Sequence, residues 1–204
     1  MDWGAISSIV LGLSLAFGVL LAIRSRKKGG QKKVGELCQH LQAIGVKASE
    51  LERDISQGKL GQRRSWGQTL VGTIKLTDRN IDSINVVGVA TQYGVHYFLD
   101  YLVRSYSSIG RQNKKKTRMT RKKSSVLRGT VIDIEWKGDD SLAQKLNFDH
   151  QLKHKLLQAA PKGSIEIFPE PQYEYARIRT TYFLPALDLF EAMDIIAKHI
   201  KSWY

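Results

Sequence analysis

Residues 3–23 form the longest apolar stretch of the chain, with 21 residues and no charged side chain. A helix of that length rises by about 31 Å, which is enough to cross the roughly 30 Å hydrocarbon core of a bilayer. The pattern therefore predicts a single-pass membrane protein with an N-terminal transmembrane helix over residues 1–23.

The charges that flank this stretch predict its orientation. Only Asp2 precedes it, whereas the basic juxtamembrane linker 24–33 that follows contains six bases and no acid. Basic flanks are retained on the cytoplasmic side, so we expect the amino terminus outside the cell membrane and the remaining chain in the cytoplasm. A cleaved secretory signal carries its bases before a shorter apolar region. The order found here favours an uncleaved signal-anchor.

Small residues recur within the predicted span. Gly4, Ser8 and Gly12 are four residues apart, a spacing that lets two membrane helices approach closely. A homo-oligomer formed through the span is therefore an open alternative.

The hydrophobic pattern of residues 34–204 predicts one cytosolic domain. Apolar residues at helical spacing predict a first helix over 34–45. Ser49 and Glu52 form a capping box, which predicts a second, short helix over 48–57.

From residue 68 the hydrophobic period shortens toward two, which is typical of strands. The predicted antiparallel strands are 68–76, 81–91 and 93–105. The third is ambiguous, because the apolar residues of its section 95–104 would also suit a helix.

The second half of the domain continues the alternation of strands and helices. A half-buried strand is predicted at 126–136, and a helix over 141–160. A hairpin of 164–168 with 173–183 follows, and a last helix begins after Pro185. Helices that bracket a run of hairpins indicate an α+β fold, with a mainly antiparallel sheet packed by helices.

Positive charge is concentrated in two segments of the chain. The formal net charge is +13, from 32 Lys and Arg against 19 Asp and Glu. Six of these bases lie in 24–33 and nine in 111–128, without an acid in either segment, which leaves 17 bases against 19 acids elsewhere. The body of the domain is therefore near neutral.

The second basic segment is predicted to be a mobile loop at about 107–124, because repulsion among its cations opposes a packed core. A domain tethered beside the cytoplasmic leaflet meets anionic lipid headgroups at high effective concentration. Docking on anionic lipid or an acidic protein partner is therefore the leading hypothesis for its function. The expected binding residues are Arg24, Arg26, Lys27, Lys28, Lys114, Lys115, Lys116, Arg118, Arg121, Lys122 and Lys123.

Hydroxyl groups lie within the same loop. Phosphorylation would cancel positive charge there and weaken the docking. The candidate residues are Thr117, Thr120, Ser124 and Ser125.

A membrane-localised nucleic-acid-binding protein is the alternative hypothesis. Exposed aromatics interleaved with arginines stack on bases and contact phosphates. The residues of such a face, which alternate on one predicted strand, are Tyr173, Tyr175, Arg177 and Arg179. Pairing with acids of the neighbouring strand, above all Glu166, would satisfy the same residues structurally.

Groups suited to catalysis or metal binding are few. The single cysteine, Cys38, excludes an intramolecular disulfide framework, and no Gly-rich phosphate loop is present. His150 and His154 are four residues apart but lack the Glu of H-E-x-x-H and a marked third ligand. Asp133 and Glu135 share one strand face, where solvation explains them better than a catalytic cleft. We therefore expect no catalytic residue, metal or cofactor, and an enzyme with an unrecognised site is the third hypothesis.

Overall fold

A computed structural model describes residues 29–51, 68–104, 114–124, 130–161 and 163–203. The helices are α1 at residues 29–43, α2 at Asp140–Phe148, α3 at His150–Ala159 and α4 at Leu187–Lys201, with a short 3-10 helix at Pro171–Tyr173. The strands are β1 Ala48–Leu51, β2 Gln68–Leu76, β3 Ser83–Thr91, β4 Gly94–Arg104, β5 Thr117–Lys123, β6 Val131–Lys137, β7 Glu166–Glu170 and β8 Tyr175–Thr181.

The eight strands form one sheet in the order β1-β2-β3-β4-β8-β7-β5-β6. Every neighbouring pair is antiparallel. The sheet is packed by helices, which confirms the predicted α+β class and the mainly antiparallel sheet.

The strand register sorts the side chains onto two faces of the sheet. On the core face, Tyr101 of β4 lies between its register partners Ile84 of β3 and Ile178 of β8, and all three are fully buried. Helices α1 and α4 contribute to the same hydrophobic cluster through residues such as Leu37 and Phe190. The opposite face carries Asp100 and Arg179, which are also register partners. We call this opposite face the polar face.

Helix α4 lies across the strands. Near its start, the ring of Phe190 packs under the guanidinium of Arg79, and Asp194 accepts a hydrogen bond from the amide of Asn80 at 2.7 Å. Beyond its end, the indole of Trp203 donates to Asp139 at 3.1 Å and lies 4.5 Å from the Lys114 ammonium. The helix thus connects the turn between β2 and β3 with the segments that flank β5 and β6.

The ambiguous third strand is a strand throughout. Strand β4 pairs with β3 on one side and with β8 on the other, so its backbone hydrogen bonds are made within the sheet. Its buried run from Leu99 to Val103 includes both faces, which explains why the alternation of a half-buried strand is weak in the sequence.

Two helix predictions need correction. Residues 48–51, predicted as the start of a helix, form β1, because their backbone pairs with β2 from Leu76 to Thr73; the rest of that predicted helix lies outside the described residues. The single helix predicted over 141–160 is two helices. Asp149 is extended between them, with a ψ of 95°, and its carboxylate accepts from the Leu152 amide to cap α3.

The predicted anchor, residues 1–23, and residues 24–28 of the linker lie outside the described residues. The linker residues 29–33 are helical and belong to the start of α1. Among the described residues, no helix is long and apolar enough to cross a membrane.

The basic segment differs from its prediction. Residues 117–123, expected within a mobile loop, form β5 between β6 and β7. The physical reason is that the side chains of Thr117 and Met119 are buried on the core face, whereas Arg118 between them is exposed on the other face. Residues 105–113 lie outside the described part of the chain.

Candidate functional site

The basic residues of β5 lie on a strand of the sheet. Arg118, Lys122 and Lys123 are exposed, and Arg121 is half-buried. Strand β5 carries these four bases and no acid, whereas β6 carries one base against two acids, so the two strands together have a net charge of +3. Arg118 is paired with strands on both sides, whereas Arg121, Lys122 and Lys123 are paired with β6 alone.

Some of the predicted lipid-binding bases have partners within the domain. Lys116 pairs with Glu166 at 2.8 Å and lies 4.7 Å from the Phe168 ring centre. Lys122 lies 3.7 Å from both Asp133 and Glu135. Lys114 donates to the backbone oxygen of Trp203 at 2.9 Å. These contacts fix the side chains but leave them at the surface.

The other bases of the segment are unmatched. Across the described residues, the side chains of Lys115, Arg118, Arg121 and Lys123 take part in no ion pair with a carboxylate. An unmatched, exposed cation gains more from an approaching anionic surface than a cation that already has a carboxylate beside it. Within the described residues, these four bases thus lie close together on and just before β5, whereas other bases without an ion pair, such as Lys75 and Lys198, lie on separate elements.

The register also determines at which end of the sheet β5 finishes. We call the end with the turn 91–94, between β3 and β4, the Tyr93 end. Strand β8 is antiparallel to β4, β7 to β8 and β5 to β7, so β5 finishes with Lys123 at this end. Residues 119–123 lie beyond Glu166, the first residue of β7, because Glu166 is opposite Arg118.

Helix α1 begins near the same end. Gly30 packs so closely on β2 that a side chain there would collide with Val71, and it lies beside Tyr97 of β4. The Tyr182 hydroxyl donates to the backbone oxygen of Lys33 at 2.8 Å, and the Lys33 ammonium lies 4.4 Å from the Tyr182 ring centre. The chain that follows the predicted anchor thus enters the domain near the Tyr93 end.

The polar face has a buried charge network at its centre. The guanidinium of Arg179 donates to both oxygens of Asp100, at 2.7 and 2.8 Å. Arg177 bridges Asp100 at 3.3 Å and Glu170 at 3.0 Å. The two carboxylate side chains are each 5% exposed, so this is an interior network rather than a set of surface ion pairs.

The predicted nucleic-acid face coincides with this network. Tyr175 is 4% exposed, and burial together with the nearby Glu170 carboxylate raises its pKa to about 12. Tyr173 lies in the 3-10 helix, and its ring stacks on that of Tyr175 at 5.9 Å. The structure brings the four predicted residues together, but the arginines are neutralised by Asp100 and Glu170, whereas Glu166 pairs with Lys116.

The remaining candidate groups for chemistry are separated or neutralised. His150 and His154 are exposed on α3, and no group of three or more potential metal ligands occurs among the described residues. Lys153 bonds to Asp133 at 2.6 Å and holds the pKa of that carboxyl below its usual value. Burial raises the pKa of the Cys38 thiol, which makes it a poor nucleophile.

An open groove of about 630 Å³ lies between β6 and α2. It is lined by residues that include Trp136, Gly138, Asn147 and Phe148, and no histidine or cysteine is among its described lining residues. Asn147 bonds through its amide to both the backbone N–H and the carbonyl oxygen of Trp136, at 2.8 and 3.0 Å. The Asn147 amide is therefore already engaged, and no serine, threonine or cysteine is among the described residues that line the groove.

Sequence reasoning missed Asp100, Glu170 and Asn147. Asp100 had a usable signal, because it is a lone acid within the apolar run of β4. Glu170 and Asn147 had none, since their partners are 7 and 11 residues away and depend on how the strands and helices pack.

Comparisons of this chain with protein-family models, with curated proteins and with solved structures found no match.

Proposed function

We propose that this protein is a membrane-anchored interaction domain that docks on an anionic lipid surface through the bases of β5. The observation that supports the proposal most is the unmatched charge of Arg118, Arg121 and Lys123 on a strand that finishes at the Tyr93 end, near which α1 begins. An anchor that precedes α1 would hold this end of the sheet toward the membrane.

The geometry permits the anchor and β5 to act together. If residues 3–23 span the bilayer, six backbone steps separate residue 23 from residue 29, and at about 3.6 Å each they reach about 22 Å at most. The part of the domain around the start of α1 would then stay close to the lipid headgroups. Arg24, Arg26, Lys27 and Lys28, in the connecting segment, would contact the same surface.

The expected strength of docking is modest but measurable. Each base close to an anionic leaflet contributes about 1 kcal/mol before screening by salt. The net charge of +3 on β5 and β6 therefore corresponds to about 3 kcal/mol, or about a hundredfold preference for anionic over neutral lipid. That preference is enough to orient a domain that is already tethered.

Co-sedimentation of residues 29–204 with lipid vesicles tests the proposal. Every described member of the hydrophobic core lies at residue 34 or later, and the fold of this fragment is checked by circular dichroism. We expect binding to vesicles of phosphatidylcholine with phosphatidylserine, little binding to phosphatidylcholine alone, and release by salt. Equal binding to both kinds of vesicle would contradict the proposal. Binding to neither would also contradict lipid docking and would favour an acidic protein partner instead.

Nucleic acid is a second candidate, because the same unmatched cations would contact phosphate groups. A nucleic-acid interface predicts that the logarithm of the affinity falls linearly with the logarithm of salt concentration, and that added vesicles compete poorly. Lipid docking predicts instead that anionic vesicles displace a bound single-stranded oligonucleotide, whereas the oligonucleotide competes poorly with the vesicles.

A further inference from the structure

We infer that the Tyr93 end of the sheet is the membrane-contacting end of the domain, with Tyr93 entering the headgroup layer beside the basic tip of β5. This inference rests on the proposed function and adds the surface and the side chains that would make the contact. It follows from the placement of exposed apolar groups beside the bases of β5 at one end of the sheet.

Exposed apolar side chains are few in the described structure. The large ones are Tyr93, Phe148, Ile132, Leu184 and Leu187. Tyr93 is 87% exposed at the tip of the β3–β4 turn, and Ile132 is 60% exposed as the second residue of β6. Because β6 starts where β5 finishes, both side chains lie at the Tyr93 end.

The turn that carries Tyr93 is held in place. The Thr91 hydroxyl donates to the carbonyl oxygen of Gly94 at 3.1 Å and accepts from the Tyr93 amide at 3.3 Å. Gly94 has a φ of +130°, which an L side chain rarely adopts. The tyrosine ring is thus presented at a fixed tip, at little entropic cost when it enters the headgroup layer.

The apolar and basic groups are close enough to meet one flat surface. Three strand intervals separate β4 from β5 and four separate it from β6, which at about 4.8 Å each are about 14 and 19 Å. Arg121, Lys122 and Lys123 lie on β5, at the shorter of these distances, and Ile132 lies on β6, at the longer. Tyrosine beside cations is the composition that favours the membrane–water interface.

The other end of the sheet carries both acids and bases. The turn between β2 and β3 contains Asp78 and Asp82, and Asp139 and Asp140 follow the end of β6. Lys75, Arg104 and Lys116 lie at this end as well, so an anionic surface would meet both signs of charge there. The Tyr93 end is therefore distinguished by exposed Tyr93 and Ile132 near the bases at the end of β5, rather than by a difference in net charge.

Site-specific fluorescence of the full chain in lipid nanodiscs tests the orientation. Tyr93→Cys and, as matched control at the opposite end, Thr77→Cys are labelled with a polarity-sensitive NBD dye; both native side chains are exposed. The native Cys38 is 5% exposed, and labelling of the unsubstituted chain gives its background. We expect a blue shift and brighter emission at position 93 in phosphatidylserine-containing nanodiscs relative to neutral ones, and no change at position 77.

The outcomes separate the inference from the proposed function. A shift at position 77, or equal shifts at both positions, would overturn the orientation while charge-dependent docking survives. Absence of a shift at both positions, with sedimentation on anionic vesicles intact, would place the contact elsewhere on the domain. As a second readout, Tyr93→Ser should weaken anionic-vesicle binding of residues 29–204 several-fold, and unchanged binding would contradict insertion of the ring.

Discussion

Asp100 holds the polar face together at the level of single residues. Its carboxylate is 5% exposed and receives hydrogen bonds from Arg177 and Arg179, whose side chains are 15% and 14% exposed. Taking such charges out of water is costly, and their mutual attraction offsets the cost only while all partners are present. The network therefore stabilises the junction of β4, β8 and β7 only as a complete set.

Asp100→Asn removes the charge and keeps the shape of the side chain. We expect it to lower the free energy of unfolding by about 3 kcal/mol, because two guanidinium groups lose their shared counter-charge. Urea unfolding followed by circular dichroism measures the loss. Asp78→Asn is the matched control, since Asp78 pairs with Lys47 at the surface, and its unfolding midpoint should stay nearly unchanged. Equal effects of the two substitutions would contradict a buried network.

Asp149 predicts a specific pH dependence. Burial alone would raise its pKa, but hydrogen bonds from the Leu152 amide and from His199 hold the pKa below its usual value. A carboxyl group with a lowered pKa in the folded state stabilises the protein fully above its unfolded pKa of about 3.9, and the stabilisation is lost as pH falls through the folded value.

The substitution Asp149→Asn isolates this contribution, because asparagine also caps helices well. We expect the variant to be less stable than the native protein at pH 5, and the difference to shrink as pH falls below about 4. Unfolding curves of both proteins at a series of pH values measure the difference. A difference that stays constant with pH would assign the effect to the cap alone.

The alternation of residue types along the chain predicted which side chains of β8 share a face. The alternation of Tyr175, Arg177 and Arg179 correctly placed them on one face of a strand. Whether that face is open or closed depends on Asp100, which lies 77 residues away from Arg177 along the chain. Burial of Tyr175 and neutralisation of the arginines are therefore properties of strand pairing, which no local pattern records.

At the scale of elements, the edge strand β6 is protected by side chains. Asn147 occupies the free N–H and carbonyl of Trp136, as a further strand would, and the Ile134 amide donates to the carboxylate of Asp133 at 2.8 Å. An edge strand whose backbone groups are occupied offers little for another chain to pair with. Helix α2 thus closes part of this edge of the sheet.

Asn147→Ala opens this edge. We expect a loss of about 1–2 kcal/mol in the free energy of unfolding, from two hydrogen bonds, and a greater tendency to self-associate. Urea unfolding and light scattering after size exclusion measure the two effects. Gln144→Ala, an exposed site on the same helix, should change neither; self-association of both variants would show that the amide is not what blocks the edge.

The composition of β5 explains why the sequence predicts a loop there. Within 117–123 the only large apolar residue is Met119, so the hydrophobic alternation that marks a strand is almost absent. Strand β5 forms because its backbone fills the space between β6 and β7, and the buried Thr117 accepts from the Asp139 amide at 3.2 Å. Tertiary pairing overrode a local signal that favoured a solvated segment.

The structure also restricts the expected phosphorylation sites. Thr117 is fully buried, and the Thr120 hydroxyl donates to the backbone oxygen of Glu135 at 2.9 Å within the sheet. Ser124 is exposed directly after Lys123, and Ser125 lies outside the described residues. Of the three described hydroxyls, Ser124 alone is exposed to a modifying enzyme in the folded domain.

At the scale of the whole molecule, hydrophobic periodicity predicted the α+β class, most of the strands and the last helix. It could not predict the order in which strands pair, because β5, β6, β7 and two α-helices lie between β4 and β8 along the chain. That pairing sets which turns share an end of the sheet, and with it the coincidence of the β5 tip, Tyr93 and the start of α1.

We propose that docking depends on the location of positive charge on β5 rather than on the net charge of the domain. Replacing Arg118, Arg121, Lys122 and Lys123 by Gln in residues 29–204 removes that charge from the exposed surface of a strand. Replacing four exposed lysines elsewhere by Gln gives a control with the same net charge; these are Lys47, Lys75, Lys198 and Lys201.

The decisive measurement is the affinity of these two variants and the native fragment for phosphatidylserine-containing vesicles, at equal ionic strength. At about 1 kcal/mol per base, the β5 variant should bind at least about a hundredfold more weakly, whereas the control should retain most of its affinity. An equal loss of affinity in both variants, or an unchanged affinity of the β5 variant, would contradict docking through β5.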